Sequence, residues 1–167
     1  MKIIISHDID HLWWSEHWAH DLFIPKYWVR TMLFCARGNV PPGLALRRLV
    51  APLRGGRSNN IEELSAFDRA HGIPSTFFVG MQRGLGLSYS MESASQAITH
   101  LMQNGHEIGV HGMAYQNQAK INEEVRRFQA LVMGAKQLGI RNHYLRTSQN
   151  TPGMMAASSA FSKGTMS

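Results

Sequence analysis

The chain has a single cysteine, Cys35, among 167 residues. One thiol excludes an internal disulfide and a cysteine-rich zinc site, and it fits a reducing compartment. No apolar run approaches the roughly 20 residues that a membrane-spanning helix needs. The opening run Ile3-Ile4-Ile5 is too short for the core of an export signal, and Asp8 follows within three residues. A soluble, cytoplasmic protein is therefore expected. Acid is missing from one long interval. Between Asp21 and Glu62 there is no carboxylate, while Lys26, Arg30, Arg37, Arg47, Arg48, Arg54 and Arg57 all fall there. The same interval holds Phe23, Ile24, Tyr27, Trp28, Leu33 and Phe34. Such a stretch reads first as a solvated face with a flexible loop. It reads second as a peripheral contact with the anionic inner membrane surface or with phosphate groups. No recognition motif accompanies the charge, so no nucleic-acid partner is expected.

What is present suits a folded protein. Hydrophobic residues make up 44% and charged residues 17%, a globular balance rather than a disordered one. The length is enough for one core and too short for two. A single domain over 1–167 is expected, with a basic insertion-like segment at about 22–60.

The chain alternates between strand-like and helix-like patterns. Lys2 to His7 reads as a buried strand, Ser75 to Val79 as a second, Glu107 to Val110 as a third and Asn142 to Leu145 as a fourth. Helical patterns run from His17 to about Ala36, with Pro25 as a point of division, and from Leu44 to Leu53. Further helices follow Asn60 and Ser90 or Ser93, and one runs from Gln118 to Leu138. Gly72, Gly105 and Gly139 stand where helices or turns should end. The tail from Asn150 onward has weak periodicity and no assigned element. Alternation of this kind predicts an α/β fold with a mostly parallel sheet or barrel, and function at the C-terminal strand ends.

Three places carry residues suited to chemistry. Asp8 and Asp10 lie two apart at a strand end, where i and i+2 point to one side. Paired carboxylates repel unless a cation or a basic side chain joins them. His7 and His11 flank them. The plain alternative is one Asp capping the next helix and the other in solvent. The second place is Gly105-His106-Glu107-Ile108-Gly109-Val110-His111, where a short strand delivers His111 to a loop. A catalytic zinc site takes three protein ligands, and Asp10 and His111 supply two. The third is Gly139-Ile140-Arg141-Asn142-His143-Tyr144, whose Arg141 has the chemistry to pair with Asp8.

Taken in order, these segments resemble the polysaccharide deacetylase family, also known as the NodB-homology or carbohydrate esterase 4 family. Ser6-His7-Asp8-Ile9-Asp10 is similar to a variant of its first motif with one residue between the acids. Asn104-Gly105-His106-Glu107-Ile108-Gly109-Val110-His111 resembles its second motif, and Gly139 to Tyr144 its third. The resemblance implies a distorted (β/α) barrel, incomplete at the C-terminus, with Phe161 to Ser167 similar to the start of a further strand. It implies a metal-dependent hydrolase that removes N-acetyl groups from a carbohydrate substrate, a surface polysaccharide or its precursor. A catalytically impaired sugar-binding protein of the same fold, or a hydrolase of another linear amide, are the alternatives. Asp8 would be the general base, oriented by Arg141, and the backbone N–H of Tyr144 would help hold the oxyanion. Asp10 and His111 would bind a divalent metal, zinc before cobalt or nickel. The family's second histidine is replaced by Tyr115. That leaves the third ligand to Tyr115, first, or to Asn117, His7, His11 or water. His143 stands where the family carries proline. With the family's C-terminal acid missing, His106 and His143 are the remaining candidates to protonate the leaving amine.

Overall fold

The computed structural model describes residues 5–18, 22–84, 87–132 and 139–164, with side chains through Ser158. Four strands form one parallel sheet: β1 (Ile5–Ile9), β2 (Ser75–Gly80), β3 (Glu107–Gly112) and β4 (Ile140–Asn142), in the order β1-β2-β3-β4. Parallel neighbours need crossovers, and helices supply them. Between β1 and β2 lie α1 (Phe23–Ala36), α2 (Pro42–Arg54) and α3 (Ile61–Ala70). Helix α4 (Met91–Gln103) joins β2 to β3, α5 (Gln118–Leu131) follows β3, and α6 (Thr151–Gly164) follows β4. When each strand adds to the same edge through crossovers of one hand, the connecting helices gather on one face. The sheet accordingly curls into a half-barrel, the architecture expected of a partial barrel.

The strand sequences explain which face is covered. Ile9, Val79, Val110 and Ile140 stand level across the four strands. With Phe77 they meet Ile61, Ala94, Ile98, Leu101 and Phe128 from the helices in one apolar cluster. Phe77, Val79, Leu101 and Phe128 are fully buried, and each such side chain contributes about 1.5–3 kcal/mol of transfer free energy. The alternate residues Asp8, Phe78 and Gly109 share one level of the other face. One step further along stand Gly80, His111 and Arg141, with Asp10 next after Ile9. The helix-covered face is thus mainly hydrocarbon, with His7 on it bound to Asp68 of α3, and the opposite one carries Asp8, His111 and Arg141.

Several boundaries differ from the sequence expectation. Strand β1 continues past His7 to Ile9, so Asp8 lies within it rather than after it. Pro25 does not divide α1, because it falls in the first turn, where a missing N–H costs no helical hydrogen bond. Helix α5 is described to Leu131, and residues 133–138 of the expected helix lie outside the described residues. Strand β4 comes earlier than expected: Arg141 is in it, whereas His143–Leu145 forms a 3-10 turn. Tyr144 and Leu145 both have positive φ, 56° and 53°, a conformation that turns the chain sharply and that side chains disfavour. The tail is helical rather than featureless, and Phe161–Gly164 belongs to α6, not to a strand. Thr151 anchors that helix from a buried position: its Oγ1 accepts from Ser148 N–H at 2.7 Å and donates to the Tyr115 carbonyl at 2.6 Å.

Candidate metal centre

The three motifs meet at the C-terminal ends of β1, β3 and β4. His111 Nε2 lies 3.3 Å from Asp10 Oδ1, and His143 Nδ1 lies 3.4 Å from the same oxygen. The two imidazoles touch each other through His111 Nε2 and His143 Nδ1 at 2.6 Å. Among the described residues, Asp10, His111 and His143 form a group whose ligand atoms could hold a metal ion. Both imidazoles are buried, while the Asp10 side chain is 43% exposed and opens the group to solvent.

The donor set suits a cation. Asp10 Oδ1 is itself buried, close to both rings, yet aligned for a hydrogen bond with neither. His111 Nδ1 is likewise buried without a hydrogen-bond partner, 3.8 Å from Asp8 Oδ1. Contact with His111 holds the Asp10 carboxyl below its ordinary pKa. Burial opposes that effect, and the nearby His143 and His11 add to it. A tetrahedral ion with ligands at about 2.1 Å sets ligand-to-ligand edges of roughly 3.4 Å. The two edges at Asp10 have that length. The third is a hydrogen bond between the rings, which an ion would replace and open by about 0.8 Å.

Around this group the strands supply the support. Asp8 Oδ1 accepts a hydrogen bond from Arg141 Nη1 at 3.1 Å, across the width of the sheet. The Arg141 guanidinium also lies 5.0 Å from the centre of the Phe78 ring, a cation–π contact. Phe78 in turn lies across Gly109. A Cβ there would come within 2.6 Å of the Phe78 ring and 2.8 Å of the Gly139 carbonyl, so only glycine fits. The Tyr89 hydroxyl accepts from Gly80 N–H at 2.6 Å and donates to the Ile9 carbonyl at 2.9 Å. It therefore ties the ends of β1 and β2 together one residue before Asp10. Burial pushes its pKa far up, so it stays protonated and can keep donating. Behind His111, Glu124 accepts from the backbone N–H groups of Met113 and Ala114 at 3.0 and 3.3 Å. Burial raises its pKa to about 7 against those two hydrogen bonds.

The structure brings Asp8, Asp10, His111 and Arg141 together as the motifs suggested. It puts His143, not Tyr115, beside Asp10 and His111. Tyr115 faces the Arg146 guanidinium at 6.0 Å, and its carbonyl is bound by Thr151. The other candidates for a third ligand are engaged elsewhere. His7 binds Asp68 at 2.9 Å, His11 packs on His17 and Phe23, and the Asn117 side chain caps α5 by accepting from Lys120 N–H. His106 precedes β3, five residues and about 16 Å of strand from His111. It is held between the hydroxyls of Ser65 and Ser75 at 2.9 Å each, so it serves the far end of the sheet. Tyr144 is 69% exposed, with its ring against the His143 imidazole. The signal for His143 was available: Arg141 and His143 are two apart at a strand end, as Asp8 and Asp10 are.

No family model, no curated protein and no solved structure matches the chain.

Proposed function

We propose that this chain is a metal-dependent hydrolase that removes N-acetyl groups from a carbohydrate, built on a partial barrel of the polysaccharide deacetylase type. The observation that carries the reading is the convergence of Asp10, His111 and His143 beside an Asp8–Arg141 pair at the open ends of parallel strands. Two imidazoles and one carboxylate suit zinc. When bound, such a cation supplies Lewis-acid chemistry toward an acyl oxygen and makes water more acidic.

The chain's own residues would divide the remaining work. Asp10, His111 and His143 hold the ion from three different strand ends. Arg141 fixes the direction of the Asp8 carboxylate, which receives the proton of the attacking water and, once protonated, passes it to the departing amine nitrogen as the C–N bond breaks. The turn at Tyr144 directs the chain away immediately after His143, and its N–H helps stabilise the developing oxyanion.

The test has two measurements on the purified protein. The first is zinc content after equilibration with a weak chelator. The second is acetate release from N-acetylated oligosaccharides and nucleotide-linked N-acetylhexosamines. One equivalent of zinc, lost in Asp10→Ala, and zinc-dependent acetate release support the proposal. Absence of bound metal refutes it. Metal binding without acetate release from any of these sugars refutes the deacetylase assignment and leaves an impaired sugar-binding protein or a hydrolase of another linear amide.

A further inference from the structure

The helical hairpin of α1 and α2 holds the charge asymmetry of the whole chain. Seventeen Lys and Arg stand against eleven Asp and Glu, giving +6. Six of those cations and none of the acids fall between Leu22 and Arg54. The rest of the chain is balanced, so the entire excess belongs to this hairpin.

Its apolar residues are divided between two opposite sides. Ile24 and Thr31 of α1 are buried, and Trp28 Nε1 donates to the Leu49 carbonyl of α2 at 3.0 Å. That inward face repeats at 24, 28 and 31, as a helix requires. Turned half-way round the helix from it are Leu22, Val29 and Leu33, with exposures of 66%, 58% and 50%. They form one stripe with Lys26, Arg30 and Arg37 along its edges. On α2, Leu46 and Leu53, seven apart, are exposed beside Arg47 and Arg54, about a quarter turn round from the buried Ala45 and Pro52. Both helices thus put leucine-type side chains and cations outward while a second set of residues holds them together.

We propose that the outer face of this hairpin docks on the surface of an anionic lipid bilayer. The charge is complementary to such a surface and to no neutral one. Large aliphatic side chains flanked by Lys and Arg are what an interfacial helix buries at the boundary of headgroups and acyl chains. Nucleic acid would use the cations but would leave Leu22, Val29 and Leu33 in water. No helix among the described residues is long and apolar enough to cross a membrane, so the contact is peripheral.

The placement gives the contact a use. The hairpin leaves the same end of β1 that delivers Asp10. Its base is tied to that segment by Trp14 N–H to the Gly56 carbonyl at 3.1 Å and Ser58 N–H to the Leu12 carbonyl at 2.9 Å. Docking would therefore bring the candidate metal centre close to the headgroup layer. The inference itself stands on the hairpin alone and does not require the deacetylase reading.

Vesicle co-sedimentation tests it, with phosphatidylcholine alone and with phosphatidylcholine mixed with phosphatidylglycerol. Binding to the mixed vesicles only is expected, and it should be lost at about 1 M salt, where the screening length falls to about 3 Å. Arg30→Gln with Arg37→Gln should weaken it about 30-fold, from roughly fivefold per cation. Val29→Glu with Leu33→Glu should weaken it at least as much. Trp18 is 46% exposed and 5.7 Å from Trp28, so tryptophan emission reports docking in the unmodified chain. Failure to bind the mixed vesicles at low salt overturns the proposal. So does binding that survives Val29→Glu with Leu33→Glu while transfer RNA competes it away, which would mark a polyanion site. Self-association through the same stripe, abolished by that double variant with no vesicle binding, overturns it as well.

Discussion

Replacing His143 by Ala removes one of three grouped donors and leaves Asp10 and His111 in place. Loss of a supporting residue around a metal commonly costs 10–100-fold in affinity. Loss of a ligand should reach the upper end, about 100-fold or 2.7 kcal/mol. Linkage turns this into a stability measurement that needs no substrate. Zinc held at 100 times the wild-type dissociation constant stabilises the fold by about 2.7 kcal/mol. A chain of this size shifts its midpoint by roughly 2–4 °C per kcal/mol, so zinc should raise the wild-type Tm by about 5–11 °C. In His143→Ala the same zinc concentration only equals the weakened constant. The gain falls to about 0.4 kcal/mol, a shift of under about 2 °C. Melts with zinc and with excess chelator give the difference directly, and the chelator arm absorbs any structural effect of losing the His143 contact. Tyr115→Phe is the control and should keep the full zinc shift, since its ring lies by Arg146. A full shift in His143→Ala, or its loss in Tyr115→Phe, would refute the ligand assignment.

The remaining predictions test the support around the centre. Asp8→Asn should lower acetate release by roughly 10²–10⁴-fold, the usual worth of a general base, while zinc content stays at wild-type level. Arg141→Gln should give a smaller loss with the same metal content, because it removes only the hydrogen bond that orients Asp8. Gly109→Ala should destabilise the fold by about 1–3 kcal/mol in urea unfolding, since its Cβ would press on Phe78 and on the fixed Gly139 carbonyl. Glu124 makes a pH prediction. Its folded pKa of about 7 lies above the ordinary 4.5, so the native state binds the extra proton. Stability measured with chelator present should therefore fall as pH rises from about 4.5 to 7, then level off. In Glu124→Gln, which can still accept from Met113 and Ala114, that slope should disappear.

How much of this could be read from the residues depended on which force set each feature. The first three strands were legible because burial repeats every second residue in Ser75–Gly80 and β-branched residues crowd Ile3 to Ile5. The cap at Ser90 is side-chain chemistry that sits beside the helix it starts. Strand β4 and helix α6 were misjudged for a different reason. Three residues are too few to display a period, and the strand at Ile140–Asn142 exists because β3 pairs with it. Helix α6 is rich in small residues and carries little apolar contrast. Its position comes from α5, through Gln118 bound to the Met154 carbonyl and Ser158 Oγ at 3.1 and 2.8 Å. Neither contact leaves a mark in the local sequence.

The candidate centre divides in the same way, and His143 shows why. Asp8, Asp10 and His111 were recognisable from motif resemblance, whereas the third donor was sought four residues after His111, where the resembled pattern keeps its second histidine. In this chain that segment has other work. Met113 and Ala114 are bound by Glu124, and the Tyr115 carbonyl is held by Thr151, so the loop leads away toward α6. The position near Asp10 is then reached from the neighbouring strand. Arg141 in β4 and His143 in the turn just after it are spaced as Asp8 in β1 and Asp10 just past its end are, and the parallel register places Arg141 level with His111. Two strand ends, each offering residues at i and i+2, enclose a third that offers one histidine. A donor set of this kind follows from strand alternation and parallel order alone. It does not require any one loop to carry a second histidine.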